Sequence, residues 1–242
     1  MTYKVVKFFT AAGTEPGSYE VTFSGNDRVF HKLEVRTEVD LGPDALDYIE
    51  LFGIWFFIIA IELAGNSRTS KGLSLVVSRG AIKKLFRTDS SKAHLFNYAN
   101  SIRTQLLGLE DITVEKDAAW TRAVEKTMCA RWDGLPPPYP EVLNPIVGKV
   151  GITLHSVRRY YEHTNKEGRI DLIYTKVAKL LRDATTEVFL DARTAKHKEL
   201  IYGDAVAGTR YLNTSAGWQL VIIRGQNGQT VLATIYQRPN GS

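Results

Sequence analysis

Five residues whose types could do chemistry fall within nine positions: His155, Arg158, Arg159, Glu162 and His163. In an α-helix these offsets of 0, 3, 4, 7 and 8 lie on one face. An imidazole can exchange a proton near neutral pH, and a guanidinium can fork onto two oxygens of a phosphate. The stripe therefore suits binding of a phosphate and acid–base work on it. Its plainer reading is a solvated face with an Arg158–Glu162 ion pair at i, i+4. The spacing predicts a helix over 152–163, with Ile152, Val157, Tyr160 and Tyr161 on the other faces.

The elements around this stripe set its context. Residues 146–242 carry 14 Lys/Arg against 8 Asp/Glu, a balance of +6, whereas residues 1–145 balance at −1. The basic excess thus lies in the same part as the stripe, and a basic domain attracts polyanions by steering and counterion release. Between the two parts, residues 131–145 hold five of the eight prolines. Pro136-Pro137-Pro138 is stiff and extended, so 131–145 is expected to be a linker between a domain at 1–130 and one at 146–242.

The single cysteine, Cys129, cannot form an intrachain disulfide and gives no zinc motif. The longest apolar run, residues 51–61, has 11 residues, too few for a membrane span of roughly 20. With no signal-peptide pattern at the N-terminus, a cytoplasmic protein is expected.

In the first part, residues 4–10, 19–23 and 29–37 alternate or run apolar between turn signals and predict an antiparallel meander. A helix follows from Asp44, its expected N-cap, to about residue 64, buried after Glu50. A short apolar strand at 73–77, a helix at 90–107 and a strand at 111–116 come next. Residues 120–130 are compatible with a closing helix. This order, with Glu50-Leu51 inside the first helix, resembles the ribonuclease H-like fold. That resemblance implies two divalent metals held by clustered carboxylates. Here the first strand ends Phe8-Phe9-Thr10-Ala11-Ala12 and the fourth ends Val77-Ser78-Arg79-Gly80, without carboxylates. An arginine in such a site repels hard cations, so we expect a metal-free, catalytically inactive version. Arg79, Lys83, Lys84 and Arg87 could make it a nucleic-acid platform, or simply a solvated turn and helix start. The domain could equally hold a protein partner or antitoxin.

In the second part, the stripe helix is followed by a turn at 164–168 and a helix at 170–184. Strands are expected at 187–190, 199–202, 209–213, 218–224 and 231–237. The last two flank Asn227-Gly228, a hairpin signal. On the final strand the alternation predicts Leu232, Thr234 and Tyr236 on one side and Val231, Ala233 and Ile235 on the other. Two helices packed on an antiparallel sheet, with His155-x-x-Arg158-Arg159, Arg210-Tyr211, Gly217-Trp218-Gln219-Leu220-Val221 and residues 230–236, resemble the RelE-like branch of the barnase–EndoU–colicin–RelE superfamily of ribonuclease toxins. The whole would be an α+β protein of two domains.

The resemblance implies metal-independent, toxin-like cleavage of RNA, at or near the ribosome, by attack of the ribose 2′-OH and without a cofactor. Such a reaction needs a base, an acid and cations for the phosphorane charge. His155 would be base or acid and Arg158 or Arg159 the phosphate ligand. Tyr236, Thr234, Tyr211 and Arg210 would supply the sheet-side roles, with His163 in reserve and Arg224, Trp218 and Glu162 among the substrate contacts. His155, Tyr236 and Trp218 each also read as core residues. The alternative function is a non-catalytic nucleic-acid-binding or protein-inhibiting factor built from degenerate nuclease folds; a third is a structural or dimerisation protein.

Overall fold

Three stretches with alternating or apolar character pair in sequence to begin the first sheet of the computed structural model. The structure describes residues 4–63, 72–85, 90–106, 109–122, 124, 126–164, 170–189, 193, 196, 208–225 and 228–237. The chain is a mixed α/β structure with two β-sheets and several helices, consistent with α+β. It divides into two compact units, Met1–Pro137 and Pro138–Ser242.

In the first unit, β1 (Val5–Ala12), β2 (Ser18–Gly25) and β3 (Val29–Arg36) form the expected meander. Asn26 and Asp27 turn between β2 and β3 with φ of 52° and 53°, the left-handed conformation that tight hairpins require. α1 (Ala45–Ile54) continues into a π-helical turn, Trp55–Ala60, which ends at Glu62 with φ of 51°. The apolar run thus forms a core element that stops before residue 64. β4 (Ser74–Val77) joins β1 in parallel, followed by the short α2 (Gly80–Leu85), which buries Ile82 and Leu85. α3 (Phe96–Gln105) leads to β5 (Asp111–Val114), parallel to β4.

The helix expected over 120–130 does not form. A 3-10 turn, Ala119–Arg122, precedes β6 (Lys126–Arg131), which pairs in parallel with β3. Pairing there satisfies the backbone groups along β3 that would otherwise be left open. The sheet order is β5-β4-β1-β2-β3-β6.

The expected linker is shorter than 131–145. Arg131 ends β6. Trp132 is buried, stacks on Phe52 at 5.2 Å and donates its indole N–H to Leu135 O, while Tyr98 OH donates to Gly134 O. At its other end Glu141–Asn144 is a strand, β7.

In the second unit β7 forms a hairpin with β8 (Gly148–Ile152), so the sheet begins before the helices. Neither strand was expected. α4 (Leu154–Thr164) and α5 (Ile170–Asp183) follow, then β9 (Thr186–Val188), β10 (Arg210–Asn213), β11 (Trp218–Arg224) and β12 (Thr230–Gln237). The order is β7-β8-β12-β11-β10-β9, and β8 lies parallel to β12, so the sheet is mixed and not purely antiparallel. The strand expected at 199–202 lies outside the described residues.

The helices cover one sheet face, where Val150, Ile152, Val157, Val177, Leu181, Leu220, Ile222, Leu232 and Ile235 form the core. Asn144 clamps this layer. Its Nδ2 donates to Leu181 O and Ala184 O, and its Oδ1 accepts from the backbone N–H of Ile146 and Val147.

Gly53 sets how closely α1 approaches the first sheet. A Cβ there would lie 2.5 Å from Val21 Cγ1, on a buried β-branched side chain that cannot swing away. Overpacking of this kind costs about 1–3 kcal/mol, against a helix-propensity gain of about 1 kcal/mol for alanine over glycine. Gly53→Ala should therefore lower stability in denaturant unfolding of the full chain; an increase would show that α1 is free to shift.

Candidate cationic site

The stripe helix starts two residues later than its spacing suggests. Ile152 closes β8, and Thr153 caps α4: its Oγ1 accepts from Ser156 N and donates to Leu232 O on β12. Leu154 and Val157 then face the core, with Tyr160 packed against it, while His155, Arg158, Glu162 and His163 are exposed. The solvent-facing stripe is therefore real, and within it Arg159 pairs with Glu162 at 2.7 Å (i, i+3). Arg159 Nη2 also lies 3.5 Å from His163 Nε2. Trp218, expected among the substrate contacts, is a core residue, buried and packed on Tyr160 at 4.8 Å.

Tyr236, Thr234 and Tyr211 do not meet this stripe. The register of β11 and β12 slips between Val221 and Ile222, so that Thr234 faces Val221 and Leu232 faces Ile222, leaving Ala233 as the extra residue of a bulge. The expected alternation is thereby broken: Leu232 and Ile235, on opposite sides by sequence, both join the helix-facing core with Trp218, Leu220 and Ile222. Thr234 and Tyr236 fall on the other face. Tyr236 OH donates there to Gln219 Oε1, and Gln219 Nε2 donates to Asn213 Oδ1. The sheet thus separates Tyr236 and Thr234 from His155 and Arg159.

Tyr211, cross-strand from Val221, is buried on that same far face. Arg210 is held by Glu187 through Nε and Nη2, both at 2.7 Å. The guanidinium keeps the Glu187 carboxyl below its ordinary value, opposed by a smaller desolvation effect. Arg224 is exposed at the end of β11.

The first unit gathers charge more tightly. At the carboxyl ends of the parallel strands β1, β4 and β5, the turn Ser78-Arg79 leaves β4 and Lys116 follows β5. Ser78 accepts from Thr10 N at 3.2 Å through Oγ, and gives both its backbone N–H and its hydroxyl to the Glu50 carboxylate. One helical turn earlier, Asp47 accepts from Arg79 Nε at 2.9 Å and from Lys92 Nζ. Lys92 also reaches Asp44 at 2.7 Å, and His94 Nε2 is 2.9 Å from the other Asp44 oxygen. Asp44 consequently makes no side-chain cap for α1, contrary to its expected role. The Lys92 hydrogen bond, helped by His94, holds the Asp44 carboxyl below its usual range.

Asp47, Ser78, Arg79, Gly80, Lys84 and Lys116, with Ser90, Ser91 and Lys92, line a pocket of about 420 Å³. Arg79, Lys84, Lys92 and Lys116 bring four positive charges against the carboxylate of Asp47 in the lining and that of Asp44, which also holds Lys92. Arg79 and Lys84 belong to the basic group noted in the sequence; Arg87 lies outside the described residues. Asp47, Lys92 and Lys116 were missed. The available signal was Asp47-x-x-Glu50, two carboxylates on one face of a predicted buried helix, which need cations or hydrogen-bond donors opposite them.

The carboxylates are unsuited to a divalent cation. Asp47 already carries a guanidinium and an ammonium, and Glu50 is engaged by Ser78. Among the described residues no group of three or more His, Cys, Asp or Glu is placed to hold a metal ion, and no helix is long and apolar enough to cross a membrane. Compared with known proteins, the chain matches no family model, no curated protein and no solved structure.

Burial pushes the Glu50 carboxyl up to about 7, against hydrogen bonds from Ser78 that lower it. Native Glu50 thus keeps its proton to higher pH than in the unfolded chain. Its stabilising contribution is full below about pH 4.5 and is lost as pH rises through about 7. Glu50→Gln should remove this dependence, so the variant's stability relative to the parent should rise by about 3 kcal/mol between pH 4 and pH 8. Parallel stability–pH curves in urea unfolding would contradict a protonated, buried Glu50.

Proposed function

We propose that this protein binds nucleic acid through its phosphates and does not cleave it. It is a non-catalytic factor whose first unit is a ribonuclease H-like platform with ion pairs where that fold's nucleases hold metals. The strand order β5-β4-β1-β2-β3, with Glu50 on the helix after the third strand, supports the fold assignment. The observation that carries the function is the pocket beyond the carboxyl ends of β4 and β5, where four cations meet the two carboxylates of Asp44 and Asp47. Such an excess is costly to hold together and favours a polyanion that neutralises it. The second unit carries exposed arginines of its own, Arg158 on α4 and Arg224.

A RelE-like endoribonuclease has one observation in its favour, the exposure of His155 beside Arg158 and Arg159. Of its second proton-transfer candidates, Tyr236 and Thr234 lie on the far side of the sheet, and His163, on the same helix face as His155, is taken up by Arg159 and Trp218. An acid that does not oppose the base leaves the 5′-oxygen unprotonated.

Incubation of the full chain with RNA in EDTA separates the two. Intact RNA retarded in a gel, with binding that weakens steeply as salt rises, is the expected result. Cleavage to cyclic-phosphate ends that His155→Ala abolishes would overturn the binding reading in favour of the ribonuclease.

A further inference from the structure

Resting on the nucleic-acid reading, we propose that the pocket around Arg79 and Lys92 prefers a phosphate monoester, the terminal phosphate of a strand, over the diesters along its backbone. The charge balance points to this ligand. Arg79, Lys84, Lys92 and Lys116 less Asp47, and less the Asp44 that also holds Lys92, leave the site at +2. An internal diester brings one negative charge and two non-bridging oxygens. A monoester brings nearly two charges and three such oxygens, with a second ionisation near pH 6.

The donors are arranged for several oxygens at once. Asp47 holds Arg79 by Nε, which fixes the plane of the guanidinium while the two Nη groups remain to donate; among the described residues they have no other partner. Asp47 is itself almost fully buried, at 1 % side-chain exposure, so this orientation is set from beneath the pocket. Lys92 is tethered by Asp44 and Asp47 in the same way. Lys84 and Lys116 are exposed and can close on the ligand from α2 and from the end of β5. Ser90 and Ser91 add hydroxyl donors. A fixed fork, a tethered ammonium and two adjustable ammonium groups match a tetrahedral dianion better than a point charge on a passing chain. The volume, about 420 Å³, falls among pockets that take small molecules, roughly 300–1,000 Å³, and fits one nucleotide end.

The test measures binding of the full chain to one short single-stranded RNA in three forms: 5′-phosphorylated, 3′-phosphorylated and hydroxyl at both ends. A nucleoside monophosphate is the competitor. One phosphorylated form should bind about tenfold more tightly than the hydroxyl form, as expected when charge-assisted hydrogen bonds are added. The monophosphate should erase that gain and leave the remaining affinity. Lys84→Ala and Lys116→Ala, both at exposed positions, should each weaken the phosphorylated strand more than the hydroxyl-ended one and so reduce the gain.

Equal affinity for the three strands, with the lysine variants weakening all of them alike, would overturn the monoester pocket and leave backbone binding standing. Binding of the monophosphate with no binding of any strand would support the pocket, identify a free nucleotide as its ligand and overturn the nucleic-acid reading. Binding of neither would overturn both.

Discussion

Glu50 is fully buried on α1, and both of its oxygens are bonded to one residue, Ser78. Through that residue the carboxyl ties three elements together: the helix that carries it, the turn leaving β4, and β1, whose Thr10 N–H donates to the same serine. A buried carboxyl left unpaired is costly, so this turn cannot drift without exposing or orphaning it. Arg79 follows directly in the chain. Its place over Asp47, and with it the position of the pocket, depends on the Glu50–Ser78 contact. The pH-sensitive group of the first unit is therefore also the one that locates its cations.

Asp47 and Glu50, one turn apart, divide the work by environment. Glu50 meets uncharged donors in a dry site and is pushed toward its neutral form. Asp47 meets Arg79 and Lys92 and anchors them. A carboxylate pair on one helix face can recruit a divalent metal only if its oxygens are open to it. Here both are already engaged, and the side chains that engage Asp47 point the local charge toward binding anions.

Local patterning exposed most of the strands and helices because each has its own period or turn signal. The meander of 5–36, the buried run from Leu51 and the hairpin around Gly228 are examples. What stayed hidden depended on partners distant in sequence. Residues 126–131 form a strand because β3 offers an open edge to them, and no local pattern says so. The hairpin of β7 and β8 is short and overlaps the proline-rich stretch, so its composition read as linker. In the second unit one bulge residue, Ala233, moved Tyr236 and Thr234 to the face away from α4, and a strict period of two could not register it. The candidate site was only half legible. Arg79 and Lys84 stood out as a basic group, whereas Lys92 and Lys116 come from separate elements and join them only through the order of the sheet.

The second unit keeps a solvent-facing stripe of His155, Arg158, Glu162 and His163 on a helix capped by Thr153, and its far sheet face carries a hydrogen-bonded chain from Tyr236 through Gln219 to Asn213. Separation of these two sets by the sheet is why the binding proposal rests on the cationic pocket of the first unit. The most direct measurement of that claim is the affinity of the full chain for single-stranded RNA across a salt series, for the parent and for a Lys84→Glu, Lys116→Glu double variant. Binding through the pocket requires salt-dependent affinity in the parent and a large loss with a shallower salt slope in the variant. Undiminished affinity with the same slope would contradict it.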